Sequence, residues 1–308
     1  SVERPEEAFE RRGCSMDKVR KNKTALIIFL LPATILFVII IIVPIFMSCY
    51  YSLLKWDGMT TGKFVGFDNY INLFKDTSIQ FPKTLWHAVV IAIFSVFIQL
   101  PISLGLALIL AKGIKGERFF LSVFFIPVLI SSVVIGQLWL KIYNPNYGLL
   151  NTFLKTVGLS GWVHTWLGEE KTALAAVMVP ILWQFIGYHM LLFYAGIKSV
   201  PRELIEAAQV DSATSWQINT RIIIPQIKPI IRMCTIFAVV GSFKTFDMIY
   251  VLTNGGPSHA SEVPSTLMIN LIFGRNQYGL GSAVAVIIII LCFAFAIGIK
   301  RIFKVEGE

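Results

Sequence analysis

Five stretches of this 308-residue chain contain no Asp, Glu, Lys or Arg: 24–54, 84–111, 119–140, 172–197 and 276–299. Each is at least 22 residues long, and about 20 apolar residues in a helix span the hydrocarbon of a bilayer. A sixth apolar run, about 228–253, carries Lys244 and Asp247 inside it. In lipid every backbone N–H and C=O must be satisfied within the segment, which leaves helices or closed barrels. Runs of this length predict an all-α polytopic membrane protein with six transmembrane helices. The composition agrees, with 56% hydrophobic and 15% charged residues and a mean hydropathy of +0.71. The helices are expected at about 25–51, 86–111, 119–143, 173–197, 231–252 and 279–302. No internal repeat or low-complexity segment is visible. No connecting stretch is long enough to bury a core of its own.

Charge gives the orientation. With the N-terminus placed in the cytoplasm, 18 of the 27 basic residues fall in inside segments and eight in outside ones, with Lys244 left over. The positive-inside rule then puts both termini in the cytoplasm. The net charge of +9 is read as this topology signal, and nucleic acid is not an expected partner. Residues 1–15 have the character of a tail or an upstream extension, with Met16 a natural start. The first apolar run is too long for a signal peptide, and no small-residue cleavage site follows it.

Catalytic chemistry finds no foothold. Gly58–Lys63 is one residue short of a P-loop spacing, and Phe64 stands where a metal-binding hydroxyl is needed. Cys14, Cys49, Cys234 and Cys292 are scattered, with no CxxC pair. His87, His164, His189 and His259 have no metal-ligand spacing, and Glu169-Glu170 is a solvated pair. No catalytic residue, metal or cofactor is expected, and any dependence on ATP must come through another chain.

The loop 198–230 between the fourth and fifth helices is polar and patterned. Pro201, Arg202 and Glu203 form a helix start. Leu204, Ala207, Ala208 and Asp211 then share a face at helical spacing. A small apolar patch rimmed by Glu203, Glu206 and Asp211 suits docking on a soluble partner; an ordinary connecting loop is the other reading. The string Glu206-Ala207-Ala208, Asp211 five residues after Glu206, and Ile222-x-Ile224-Pro225 resemble the EAA loop of ABC importer permeases. Three further strings are similar to the carbohydrate class of that family: Asn144-Pro145-x-Tyr147-Gly148-Leu149-Leu150-Asn151, Lys244-x-x-Asp247 and Leu252-Thr253-x-Gly255-Gly256-Pro257. So does the segment from Gly66 to Tyr70, and the resemblance runs from about Lys21 to Arg301. It departs at Ser212, where the family has Gly after the Asp; serine can end a helix by bonding its own backbone.

The resemblance implies a type I ABC importer permease fold: a tail at 1–23, a first helix and external segment at 24–83, a five-helix core at 84–302, and a second tail at 303–308. It implies a permease subunit of an ATP-driven, binding-protein-dependent sugar importer, pairing with a second permease subunit, two ATP-binding subunits and an extracytoplasmic solute-binding protein. Glu206, Ala207, Ala208, Asp211, Ser212 and Pro225 would serve ATPase coupling. Asn254, Gly255, Gly256 and Pro257 form a turn that is either only a turn or a contact for the binding protein. Trp183, Gln184 and Tyr188 are polar or aromatic at mid-membrane and suit a sugar-lined cavity or helix packing. Lys244 and Asp247, three apart on one helix face, are either a structural ion pair or part of the substrate pathway. A permease of the same family for a non-sugar solute such as glycerol-3-phosphate is the alternative. A secondary transporter is a more distant one, since no matched broken helices are visible in the two halves.

Overall fold

The computed structural model describes residues 23–303. The basic residues of the N-terminal tail before Lys23, the possible start at Met16, and Lys304 lie outside the described residues. The chain divides into two units, 1–51 and 52–308. Among its described residues the first holds one helix, α1, running through Lys23–Phe37, a π-helical turn Val38–Ile42 and Val43–Tyr51. The side chains of Phe29–Tyr51 are almost all exposed, as expected for a helix that is apolar all round and meets lipid.

The second unit opens with a short hairpin, β1 (Leu54–Lys55) paired antiparallel with β2 (Lys63–Phe64). Asp57 holds its tip by accepting from the backbone N–H groups of Thr60 and Met59 and from the Thr60 hydroxyl. These bonds, Thr60 first, lower its carboxyl pKa to about 2. Helix α2 (Asp68–Lys75) follows. Its Asn69 amide donates to the Ser52 and Leu54 carbonyls at 2.7 and 2.8 Å, fastening the hairpin to the helix.

Helix α3 (Phe81–Leu110) is the spine of this unit. Residues along it enter four buried apolar clusters: Phe81 packs with Leu267 and Val284, Ala88 with Phe243, Ile91 with Val177 and Ile249, and Leu100 and Ala107 with Phe193 and Ile227. Helices α4 (Glu117–Leu129) and α5 (Ser132–Ile142) are bent 96° from each other. The Asn144 side chain caps the next turn, accepting from the N–H groups of Asn146 and Tyr147. The short α6 (Leu149–Thr156) leads to α7 (Glu170–Lys198). Asn151 stitches this connection together, donating to the His164 carbonyl and accepting from the Trp166 indole. The family-like Asn-Pro string therefore has a structural job in Asn144 and Asn151.

After α7 come α8 (Arg202–Val210) and α9 (Ser215–Ile218), the latter continuing through Asn219–Ile223 and Ile224–Gln226. Then follow α10 (Lys228–Lys244), α11 (Asp247–Leu252), α12 (Pro264–Gly274) and α13 (Tyr278–Ile302). Among the described residues five helices are long and apolar enough to cross a membrane, and six when α4 and α5 count as one span. The six expected segments are thus present, with two corrections. The third is sharply broken, and the fifth loses helical structure at Thr245 and Phe246. The stretch between α11 and α13, expected as loop, contains the apolar α12, with Leu267 and Leu271 fully buried.

Candidate functional site: a charged cavity and an exposed loop helix

The break between α10 and α11 sits in the wall of a cavity of about 290 Å³. Lys244 is the last residue of α10 and Asp247 the first of α11. Between them Thr245 is extended (φ −61°, ψ 132°), so the two charges do not share a helical face as the sequence spacing predicts. Neither is in an ion pair within 4 Å among the described residues, and both are exposed within the single chain. The structural-pair reading therefore loses its geometry. A charge within a membrane segment needs a partner or an aqueous surface, and both Lys244 and Asp247 line the cavity.

The facing wall is polar for identifiable local reasons. In α3, a π-helical turn at Ser95–Gln99 widens the helix at the cavity, and both of these residues line it; π-turns of this kind recur at functional sites. From α7 come Gln184 and Tyr188, together with His189. Gln184 has a second task. Its amide donates to the Ile130 carbonyl at 3.4 Å and to Ser132 Oγ at 3.3 Å. These groups flank the α4–α5 break, so one side chain both lines the cavity and occupies polar groups freed by the bend. His189 is 4% exposed, and its Nδ1 has no hydrogen-bond partner. Trp183 is placed elsewhere: it does not line the cavity, and its ring meets Trp139 edge-on with centroids 6.0 Å apart. Ser95, Gln99, Ser132 and Phe246 also line it and escape sequence reading, because single polar or aromatic residues in apolar helices carry no spacing signal.

The loop helix α8 is the second feature. Its one inward face is made by Ile205 and Ala208, which pack on the core formed by α3, α7 and α10. Glu203, Leu204, Glu206, Ala207 and Asp211 are exposed. The predicted single face is therefore split: Ala208 turns to its own chain while Leu204, Ala207 and Asp211 face out. The helix ends in a Schellman arrangement, with Ala213 N–H donating to the Ala208 carbonyl and Ser212 N–H to Gln209. Ser212 takes the left-handed conformation this ending requires, at φ +57°. A small apolar contact accompanies it, since Ala208 and Ala213 both pack on the same core. Beyond the bend Thr214 and Gln217 form a capping box, and Pro225 is exposed on the last short helical piece.

At the far end of α11, Asn254 is exposed but Gly255 is buried. Gly255 has φ +86°, and an added Cβ would sit 3.1 Å from the Glu262 side chain. The glycine serves close packing in this turn. Glu262, 1% exposed, is bonded to His259 Nδ1 at 2.6 Å, and its backbone carbonyl meets His87 Nδ1.

Residues 99–304 match the family described as binding-protein-dependent transport system inner membrane component. The chain is 36% identical over 293 residues to the probable ABC transporter permease protein YurN of Bacillus subtilis, covering 94% of this chain and 99% of that one. It is 30% identical to the diacetylchitobiose uptake system permease protein NgcF of Streptomyces coelicolor, over 96% of this chain and 86% of that protein. It is 31% identical to the multiple sugar-binding transport system permease protein MsmF of Streptococcus mutans, over 90% and 93%. Among solved structures, a chain of a bacterial ABC transporter that imports the acidic polysaccharide alginate superposes with a TM-score of 0.81. The identity is 22%, with coverage of 95% of this chain and 99% of that one. The membrane-length helices are thus those of a multi-pass membrane component, and the chain belongs to the family of binding-protein-dependent transport system inner membrane components.

Proposed function

We propose that this chain is the membrane permease subunit of an ATP-driven sugar importer and contributes part of its translocation pathway. The observation that carries this reading is the cavity at the α10–α11 break. It combines Lys244 and Asp247 with the amides of Gln99 and Gln184 and the ring of Tyr188. Sugar hydroxyls need donors and acceptors together, with an aromatic face for the ring. The sugar-named relatives NgcF and MsmF support the same substrate class.

The exposed surface of α8 is the docking element for a separate ATP-hydrolysing subunit, with Glu206 meeting a basic residue of its groove. Ala207 permits close approach there, while Asp211 and Ser212 set the bend and Pro225 begins the return. Closure of two such ATPases moves the loop helices of two permease subunits together. That motion tips the membrane helices and exchanges access to the cavity from one side to the other. A solute-binding protein delivers the sugar at the opposite end, where Asn254, Gly256 and Pro257 are the accessible part of the turn. Both termini and α8 are cytoplasmic.

Deletion of the gene in its own host, followed by uptake of labelled di- and oligosaccharides, tests the reading. Uptake of at least one sugar is expected to be lost and to return with the wild-type chain. Intact uptake of every sugar together with lost uptake of glycerol-3-phosphate would move the substrate to the non-sugar alternative.

A further inference from the structure

A second cavity, of about 360 Å³, lies against α8, with Arg202, Ile205 and Gln209 of that helix in its wall. Its floor is aliphatic and buried, formed by Ile197, Val200, Ile218 and Ile223. Its other lining residues include Lys112, Lys198 and Arg202, with Ser215 and Asn219 as further donors, and no Asp or Glu lines it. Lys198 is already engaged by Glu117 at 3.5 Å. Lys112 and Arg202 have no ion-pair partner among the described residues. The cavity stands at the ends of two membrane-spanning helices, with Leu108 from α3 and Ile197 from α7 in its wall.

Two uncompensated cations beside an aliphatic floor select a particular chemistry. A neutral polar molecule would leave the charges unanswered. A bare anion would leave the floor unfilled. An anionic group joined to hydrocarbon answers both, and basic pockets at helix ends near the membrane surface suit anionic lipid headgroups. We propose that this cavity binds a phosphate-bearing anion, presented as the headgroup of an anionic phospholipid, and that the headgroup meets α8 at Arg202. The proposal stands apart from the sugar assignment, since it concerns a different cavity and a different ligand.

Native mass spectrometry of the full chain, purified in mild detergent with its co-purifying subunits, tests this. The probes are phosphatidylglycerol, phosphatidylcholine and inorganic phosphate. The expected result is a discrete phosphatidylglycerol adduct without a matching phosphatidylcholine adduct. The combined change Lys112→Gln with Arg202→Gln is expected to lower retention by roughly tenfold or more, two basic residues being lost at once. Lys112→Arg, which keeps the charge, retains the adduct and shows that the pocket is intact. Lys155→Gln, at an exposed lysine outside the cavity, leaves it unchanged. Displacement of the adduct by inorganic phosphate would identify free phosphate as the occupant and overturn the lipid assignment; persistence supports the lipid. Equal retention of the two lipids, or undiminished retention by a folded double variant, overturns the proposal.

Discussion

Ser212 shows how one residue can meet a backbone demand that glycine usually meets. The left-handed conformation costs a non-glycine residue about 1–2 kcal/mol, yet the ending of α8 requires it, with φ at +57°. Ser212→Gly is therefore expected to stabilise the 198–230 loop by about 1 kcal/mol or less, once the greater freedom of glycine in the unfolded chain is subtracted. Ser212→Val, β-branched, is expected to destabilise the bend and to expose the loop to protease sooner than wild type. Limited proteolysis of the membrane-embedded protein reads both; equal cleavage of the valine variant and wild type would contradict the bend's role. Lys244 and Asp247 give a second prediction at this scale. They have no ion-pair partner among the described residues, they flank a helix break, and they line the cavity. Lys244→Ala and Asp247→Ala should each leave folded yield and detergent thermostability near wild type. Transport should fall by about tenfold, the size of one lost charge-assisted hydrogen bond to substrate. A loss of stability in both single variants, recovered in the double variant, would restore the structural-pair reading.

Among the elements, the close crossing of α4 and α7 positions one side of the cavity. A Cβ at Gly187 would fall 1.8 Å from the Phe124 carbonyl oxygen, so no side chain fits without moving a helix backbone. Gly241, also helical and in the cavity wall, has nothing within 4 Å of a built Cβ. Gly187→Ala should accordingly destabilise the protein by about 1–3 kcal/mol through overpacking. Gly241→Ala should be neutral or slightly stabilising, since alanine is the better helix former by about 1 kcal/mol. Thermal unfolding of both variants in one detergent provides the comparison, and equal melting temperatures would contradict the crossing. The same elements show where sequence reading stops. The spans were legible because a missing charge over 22 or more residues is a property of length that no tertiary contact can hide. The α4–α5 break was not, because neither Ile130 nor Ser131 is Gly or Pro. Gln184, a residue 54 positions away, engages its free carbonyl. The α10–α11 break was hidden likewise: Lys244-Thr245-Phe246-Asp247 reads as a helical i, i+3 pair until Thr245 is seen extended. In α8 the periodicity was legible but not which alanine faces inward, since that depends on the core beneath it.

For the whole molecule, the placement of α8 at one end of the helices and of the 254–263 turn beyond α11 makes orientation the decisive question. The basic-residue distribution and the proposed docking of α8 converge on the same side. Both place Glu206 in the cytoplasm and Lys155 outside. The test starts from a chain whose native cysteines are replaced by alanine, because Cys49 is exposed and would label on its own. Single cysteines are then introduced as Glu206→Cys and Lys155→Cys, both at exposed positions within the chain. A membrane-impermeant maleimide applied to intact cells is expected to label position 155 and to reach position 206 only after the membrane is opened. The reverse pattern would invert the topology and remove α8 from reach of any cytoplasmic ATPase. Given the expected orientation, Glu206→Lys carries the argument to assembly. Glu206 is exposed, so reversing its charge costs the fold little, while a carboxylate that meets a basic groove would now repel it. The variant should remain in the membrane at wild-type levels, and co-purification of the ATPase should fall by about tenfold. That loss corresponds to ~1.4 kcal/mol, a modest demand on an interfacial charge pair. Unchanged co-purification with unchanged uptake would show that the coupling partner does not read this face of α8. The small apolar surface of Leu204 and Ala207 would then be left without the charge that orients its docking.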